Sequence, residues 1–138
     1  MTTSRASAVW EGKLKDGKGS FKAGSGAFAG HYSFRTRFEG AAGTNPEELI
    51  AAAEAACFSM ALAAGLEAAG TPATRVETTA ACTIEGSKIT TIELKVRGTV
   101  PGSDQAKFRQ AADAAKDGCP VSSALKGNVQ FTLDATLA

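Results

Sequence analysis

The sequence predicts an α+β domain built on antiparallel strands, in the order βββ-α-ββ-α-β. Three observations carry this. Residues 1–40 alternate apolar and polar side chains between glycine turns. An alanine-rich stretch beginning at NPEEL has helix-start signals and no period of two. Two further alternating runs, VETTAACTIE and TTIELKVRGTV, are joined by the short EGSK. Strands in sequential runs favour antiparallel pairing over a parallel sheet wound between helices.

The first three strands are expected in AVWEGKL, GSFKAG and HYSFRTRFE. In the third, Tyr32, Phe34, Thr36 and Phe38 fall on one face and Ser33, Arg35, Arg37 and Glu39 on the other, the period of a half-buried strand. That places Arg37 on a polar strand face close to a loop, where it reads first as a solvated charge.

Glycines 40 and 43 break the alternation. Asn45 then caps a helix with Pro46 at its first position and Glu48 where a capping-box acid would stand. Glu47 and Glu48 compensate the helix dipole. The helix should reach about Ala69, stopped by Gly70 and Pro72, with Leu49, Ala53, Ala56, Met60 and Ala64 as its core face. Cys57 lies in its middle, and burial alone would account for it, because an unoxidised cysteine behaves as a small hydrophobe.

VETTAACTIE and TTIELKVRGTV read as a hairpin. Val76, Thr78, Ala80, Cys82 and Ile84 share one face, and Ile92, Leu94, Val96 and Val100 share another, so Cys82 reads as packing. DQAKFRQAADAAKDG forms the second long helix, with Ser103 as cap and Gly118 as stop. Cys119 follows, then Pro120 and a short helical VSSALKG. NVQFTLDATL alternates as the final strand, with Val129, Phe131, Leu133 and Leu137 inward.

At 138 residues the chain suits one domain, 1–138, with enough length for a real core. A formal charge of +1 makes no field that would gather nucleic acid. The beginning of the sequence has no apolar signal region, and no apolar run approaches the ~20 residues of a spanning helix, so a cytoplasmic protein without a membrane partner is expected. Three cysteines are too few and too odd in number for a disulfide scaffold. None is in CxxC spacing and His31 is the one histidine, which leaves little material for a zinc site or a Cys-His nucleophile.

Three features could carry chemistry. Cys119 in GCPVS stands at the start of a helical turn, where unpaired N–H groups favour a thiolate. Cys57 lies on a separate helix, and the two could form one redox pair. Glu47 and Glu48, first of all dipole-compensating acids, and Arg37, first of all a solvated charge, are the remaining candidates. The residues alone leave both the redox and the packing interpretations open.

The stretches WEGKLKDGKG, FRTRFEGAAGTNPEELIAAAEAACFSMAL, VPG and AAKDGCPVSSALKG resemble, in order and over nearly the whole chain, the OsmC family, the osmotically inducible branch of the OsmC/Ohr thiol-dependent peroxidases. The resemblance implies an OsmC-like fold, with sheets wrapped around two core helices in an intertwined homodimer and active sites at the subunit interface. It implies a peroxidase of oxidative and osmotic stress defence that reduces organic hydroperoxides better than hydrogen peroxide. By motif, Cys57 matches the peroxidatic cysteine, Cys119 the resolving one, Arg37 the arginine beside the reactive thiolate and Glu47 the glutamate that orients it. No metal or flavin is implied, only an external dithiol reductant, of lipoyl type rather than thioredoxin. A stoichiometric redox sensor or stress-related binding module using the same cysteines is the competing expectation.

A mid-helix cysteine gains little from the dipole, so this assignment requires another positive charge. A thiol of pKa ~8.5 is a few per cent ionised at neutral pH, and making it mostly thiolate takes roughly 2.7 kcal/mol. One guanidinium at ~4 Å, at an effective dielectric near 20, supplies about 4 kcal/mol before desolvation.

Overall fold

In the computed structural model, which describes residues 1–138, strands and helices follow the order β1 (Ala6–Glu11), β2 (Lys18–Ala23), β3 (Ala29–Tyr32), α1 (Phe34–Phe38), α2 (Pro46–Ala68), β4 (Arg75–Glu85), β5 (Lys88–Thr99), α3 (Gln105–Gly118), α4 (Pro120–Leu125) and β6 (Gln130–Leu137). The strands make two three-stranded sheets, β1-β2-β3 and β4-β5-β6. The chain divides into two compact units, Met1–Leu49 and Ile50–Ala138.

The first unit is an antiparallel meander in which Trp10 pairs with Gly19, Gly19 with Tyr32 and Phe21 with Gly30. A side chain at Gly19 would run into the rings of Tyr32 and Trp10. Its absence lets those rings lie together over the strand, with centroids 5.7 Å apart.

The third strand ends earlier than the alternation predicts. β3 stops at Tyr32, and residues 34–38 are helical. Ser33 is the reason: its hydroxyl accepts from the Thr36 N–H at 3.2 Å while the Thr36 hydroxyl accepts from the Ser33 N–H at 2.8 Å. This reciprocal cap satisfies backbone groups locally and overrides a period of two that spans only a few residues. Phe34 and Phe38 therefore meet as an i,i+4 pair, centroids 5.0 Å apart, and Arg37 stands on a helix rather than a strand.

In the second unit β4 and β5 form the expected hairpin, from Arg75↔Thr99 to Glu85↔Lys88, with Gly86 at φ +62° in the turn. Along β4 the half-buried Val76, Thr78, Ala80, Cys82 and Ile84 alternate with exposed neighbours. Along β5, Ile92, Leu94 and Val96 are buried.

β6 corrects the all-antiparallel expectation. It pairs with the other edge of β5 in parallel, Ile92↔Phe131, Leu94↔Leu133 and Val96↔Ala135. α3 and α4 form the crossover that returns the chain to the starting end of the sheet, which a parallel neighbour requires. Gln105 at the head of α3 fastens this strand, donating to the Ala135 carbonyl and accepting from the Leu137 N–H, both at 2.8 Å. The α3 cap is Asp104 rather than Ser103, accepting from the Lys107 N–H at 2.8 Å. Phe108 lies against β5 at Gly98, where any Cβ would overlap its ring.

The core face of α2 is also corrected. Buried positions recur at Glu54, Phe58, Leu62 and Leu66, while Met60 is 77% exposed, and Ala53, Ala56 and Ala64 are exposed with it. The helix is apolar nearly all round, so its period does not single out a face. The larger side chains decide, because the gain on burial scales with apolar area. α2 is also long and apolar enough, by length and composition, to cross a membrane, contrary to the sequence expectation; here Phe58, Leu62 and Leu66 join the core with Ile92, Leu94, Val96 and Phe108.

Candidate active site

In the first unit, Glu47 lies in the opening turn of α2, nearly fully buried. Arg37 closes on it in a fork, with Nη2 at 2.7 Å and Nε at 3.1 Å from Oε1, and Nε at 3.3 Å from Oε2. This bidentate geometry is the strong form of the ion pair. Asn45 braces the two helices, accepting from the Glu48 N–H at 2.8 Å and donating to the Thr36 carbonyl at 3.2 Å. Glu48 is exposed and turned away, its carboxylate accepting from the Thr44 hydroxyl.

The guanidinium also lies 5.2 Å from the Phe38 ring centroid. It lines a cavity of about 250 Å³ with Trp10, Leu14, Tyr32, Ser33 and Phe38. This is a small apolar cleft with one cation, and the cation's orientation is fixed by a buried carboxylate.

In the second unit the two helix cysteines come together: the Cys57 side chain is close enough to the Cys119 thiol to help raise its pKa. Cys57 is half-buried on α2, and Cys119 is fully buried. Cys119 joins two helices, closing α3 through its N–H to the Ala115 carbonyl at 3.0 Å and capping α4 by accepting from the Ser122 N–H at 3.4 Å. Pro120 at the first position of α4 starts the second helix without needing an N–H partner.

The helix-start argument favoured a thiolate at Cys119, and the burial of that thiol works against one. Burial pushes the Cys119 thiol above its ordinary value. The neighbouring Cys57 side chain and the charge of Glu54 act in the same direction, while the two contacts from Ser122 oppose them without prevailing. Desolvation outweighs what a six-residue helix can offer a charge.

Glu54 is the residue that sequence reasoning missed. It is fully buried. Its Oε1 accepts from the Ser122 hydroxyl at 2.5 Å and from the Cys119 thiol at 3.7 Å, and its Oε2 has no partner. The available signal was spacing: Glu54 precedes Phe58, Leu62 and Leu66 at intervals of four, on the stripe made by the largest side chains of α2. Cys82 lies on β4 opposite Ile92, packed against the core as the strand pattern predicted.

Two thiols are neighbours here, one half-buried and one fully buried. Together with the α+β fold they define a protein of cysteine redox chemistry. The family model for OsmC-like proteins matches residues 38–134, and the chain belongs to the OsmC family. It is 48% identical to the Peroxiredoxin OsmC of Escherichia coli, covering 96% of this chain and 95% of that protein. It is 36% identical to an organic hydroperoxide resistance protein of Xanthomonas axonopodis, over 68% of each chain. Among solved structures, the organic hydroperoxide resistance protein OhrB of Bacillus subtilis superposes with a TM-score of 0.69 at 27% identity, covering 96% of this chain and 98% of that one.

Proposed function

We propose that this protein is a thiol-dependent peroxidase that reduces organic hydroperoxides to alcohols through a two-cysteine cycle. The observation that carries the proposal is the contact between half-buried Cys57 and buried Cys119. The thiolate of Cys57 attacks the distal peroxide oxygen. The O–O bond breaks, the alkoxide leaves as alcohol after taking a proton, and Cys57 becomes a sulfenic acid. The Cys119 sulfur then attacks the Cys57 sulfur, forming the disulfide and releasing water. An external dithiol, of lipoyl type, reduces the disulfide and restores both thiols.

Accessibility supports this division of roles. A peroxide can approach the half-buried thiol, whereas Cys119 is enclosed and held as a neutral thiol until a sulfenic acid forms beside it. The Arg37 cleft supports an organic substrate, since its aromatic lining suits a hydrocarbon group and its cation suits peroxide oxygens. In this proposal the molecule works in the cytoplasm as a homodimer, and Arg37, oriented by Glu47, serves the thiolate of the partner subunit. The exposed apolar row of Ala53, Ala56, Met60 and Ala64 on α2 supports a dimer, because such a face is stabilised by a second copy.

Steady-state consumption of cumene hydroperoxide with excess dihydrolipoamide tests the cycle. Cys57→Ser should abolish turnover, and Cys119→Ser should react once and stall at the sulfenic acid. Wild-type protein that reacts once and no more, with dithiol in excess, would be a stoichiometric sensor instead. Mixing Cys57→Ser with Arg37→Ala chains, each inactive alone, should restore activity in hybrids; hybrids with none would place the arginine and the thiol in one chain.

A further inference from the structure

Inside the second unit lies a buried carboxylate for which the cycle so far has no use. Glu54 is fully buried on α2, one turn before Cys57. A carboxylate in such a position is retained against a considerable desolvation penalty, and leaving one oxygen unpaired adds to it. The groups facing it are Cys119 and Ser122.

The direction of the hydrogen bonds orders these groups into a chain. A serine hydroxyl has one proton to donate, and that of Ser122 points to Glu54 Oε1. The one proton of the Cys119 thiol is then directed either to the Ser122 oxygen, 3.0 Å away, or to Glu54 Oε1, 3.7 Å away. A proton can pass from Cys119 to Ser122 to Glu54, or directly to Glu54 across 3.7 Å.

We infer that Glu54, with the Ser122 hydroxyl as relay, is the general base that deprotonates Cys119 as it attacks the Cys57 sulfenic acid. The inference rests on the two-cysteine cycle proposed above. As the S–S bond forms, the Cys57 S–O bond breaks, and the proton leaving Cys119 is held by Glu54 and delivered to the departing hydroxide, which leaves as water. No proton or electron is gained from outside. The balance of charge explains why the base must be internal. Losing the Cys119 proton to solvent would leave a thiolate and a carboxylate together in a buried pocket, whereas transfer to Glu54 keeps one negative charge there throughout. Burial, with the nearby carboxylate acting in the same direction, keeps Cys119 protonated at rest, and Glu54 accepts its proton only when the thiol has a sulfur to attack.

Glu54→Gln keeps the size and the bond from Ser122 while removing the base. Reduced protein would be mixed with one equivalent of cumene hydroperoxide, quenched at intervals, and analysed by intact mass with dimedone to trap sulfenic acid and by peptide mapping of the disulfide. Cys57 of the variant should still be oxidised, but closure of the Cys57–Cys119 disulfide should slow by about 10²-fold or more, with dimedone adduct accumulating on Cys57. Ser122→Ala, a small change at a buried site, should slow closure about tenfold and carries the test if the glutamine variant does not fold. Wild-type closure rates in a folded Glu54→Gln, or in Ser122→Ala, would overturn the inference and leave the cycle standing. Wild-type protein that forms no Cys57–Cys119 disulfide at all would overturn both.

Discussion

Removing the Arg37 guanidinium should cost far more than the loss of a surface ion pair. Glu47 retains 5% of its side-chain exposure against 36% for Arg37, so Arg37→Ala strands a carboxylate that water reaches poorly. Breaking a fully buried pair costs about 3–5 kcal/mol. Because the arginine is partly solvated and water can relax into the space it leaves, about 2–3 kcal/mol is the expected loss here. Glu47→Ala should cost less, since the freed guanidinium can hydrate, and the double variant should be more stable than the sum of the single losses implies. The coupling energy from the four-member cycle should be about 1.5–3 kcal/mol. Urea unfolding followed by the fluorescence of Trp10, the one tryptophan and a member of the same unit, measures each corner. A coupling below about 0.5 kcal/mol would show that the pair behaves like an exposed one and that the fork does not hold the arginine.

Raising the pH should destabilise the reduced protein through Cys119. Its folded pKa is raised above the ordinary thiol value, chiefly by burial, so the folded state keeps the proton that the unfolded chain loses first. The contribution is whole below pH ~9 and is lost as pH climbs towards the folded pKa, at up to about 1.4 kcal/mol per unit; urea midpoints at pH 7.5 and 9.5 should fall more steeply for wild type than for Cys119→Ser. Gly98→Ala should destabilise by about 1–3 kcal/mol, because its methyl group must displace the Phe108 ring; thermal unfolding at wild-type temperature would refute that contact. Cys82→Ala should leave peroxide turnover within about twofold and reduce stability by roughly 1 kcal/mol, as its thiol packs against the core; a disulfide mapped from Cys82 to Cys57 or Cys119 would refute the packing role.

Much of the fold was legible where local signals agree with one another. Asn45 and Pro46 located the start of α2, Gly86 the hairpin turn, and the alternation along β4 and β5 their inward faces. The failures fall where two local rules compete or where neither discriminates. At HYSFRTRFE an alternating pattern and a Ser33–Thr36 cap occupy the same residues, and the cap's hydrogen bonds win. Along α2 nearly every position is apolar, so periodicity selects no face and only the distribution of side-chain volume does. The parallel placement of β6 depends on the path of α3 and α4, which no strand pattern encodes. For the site, the family resemblance pointed to Cys57, Cys119, Arg37 and Glu47, whereas dipole reasoning favoured a thiolate at Cys119 because burial cannot be read from helix position. Glu54 was passed over because an acid among alanines looks like a solvated charge until its neighbours on the stripe are known.

The parallel seating of β6 also orders events in time. β4 and β5 meet through a two-residue turn, a closure of microseconds, whereas β6 can dock only after residues 100–129 have folded back as α3 and α4. Until then the free edge of β5 presents the unpaired groups opposite Ile92, Leu94 and Val96 to any other extended chain. Long-range pairing of this kind is slow, and the interval before it is when chains aggregate. The turn that carries Cys119 lies within the same segment, so the pocket for the second thiol and the protection of the sheet edge are completed in a single late step.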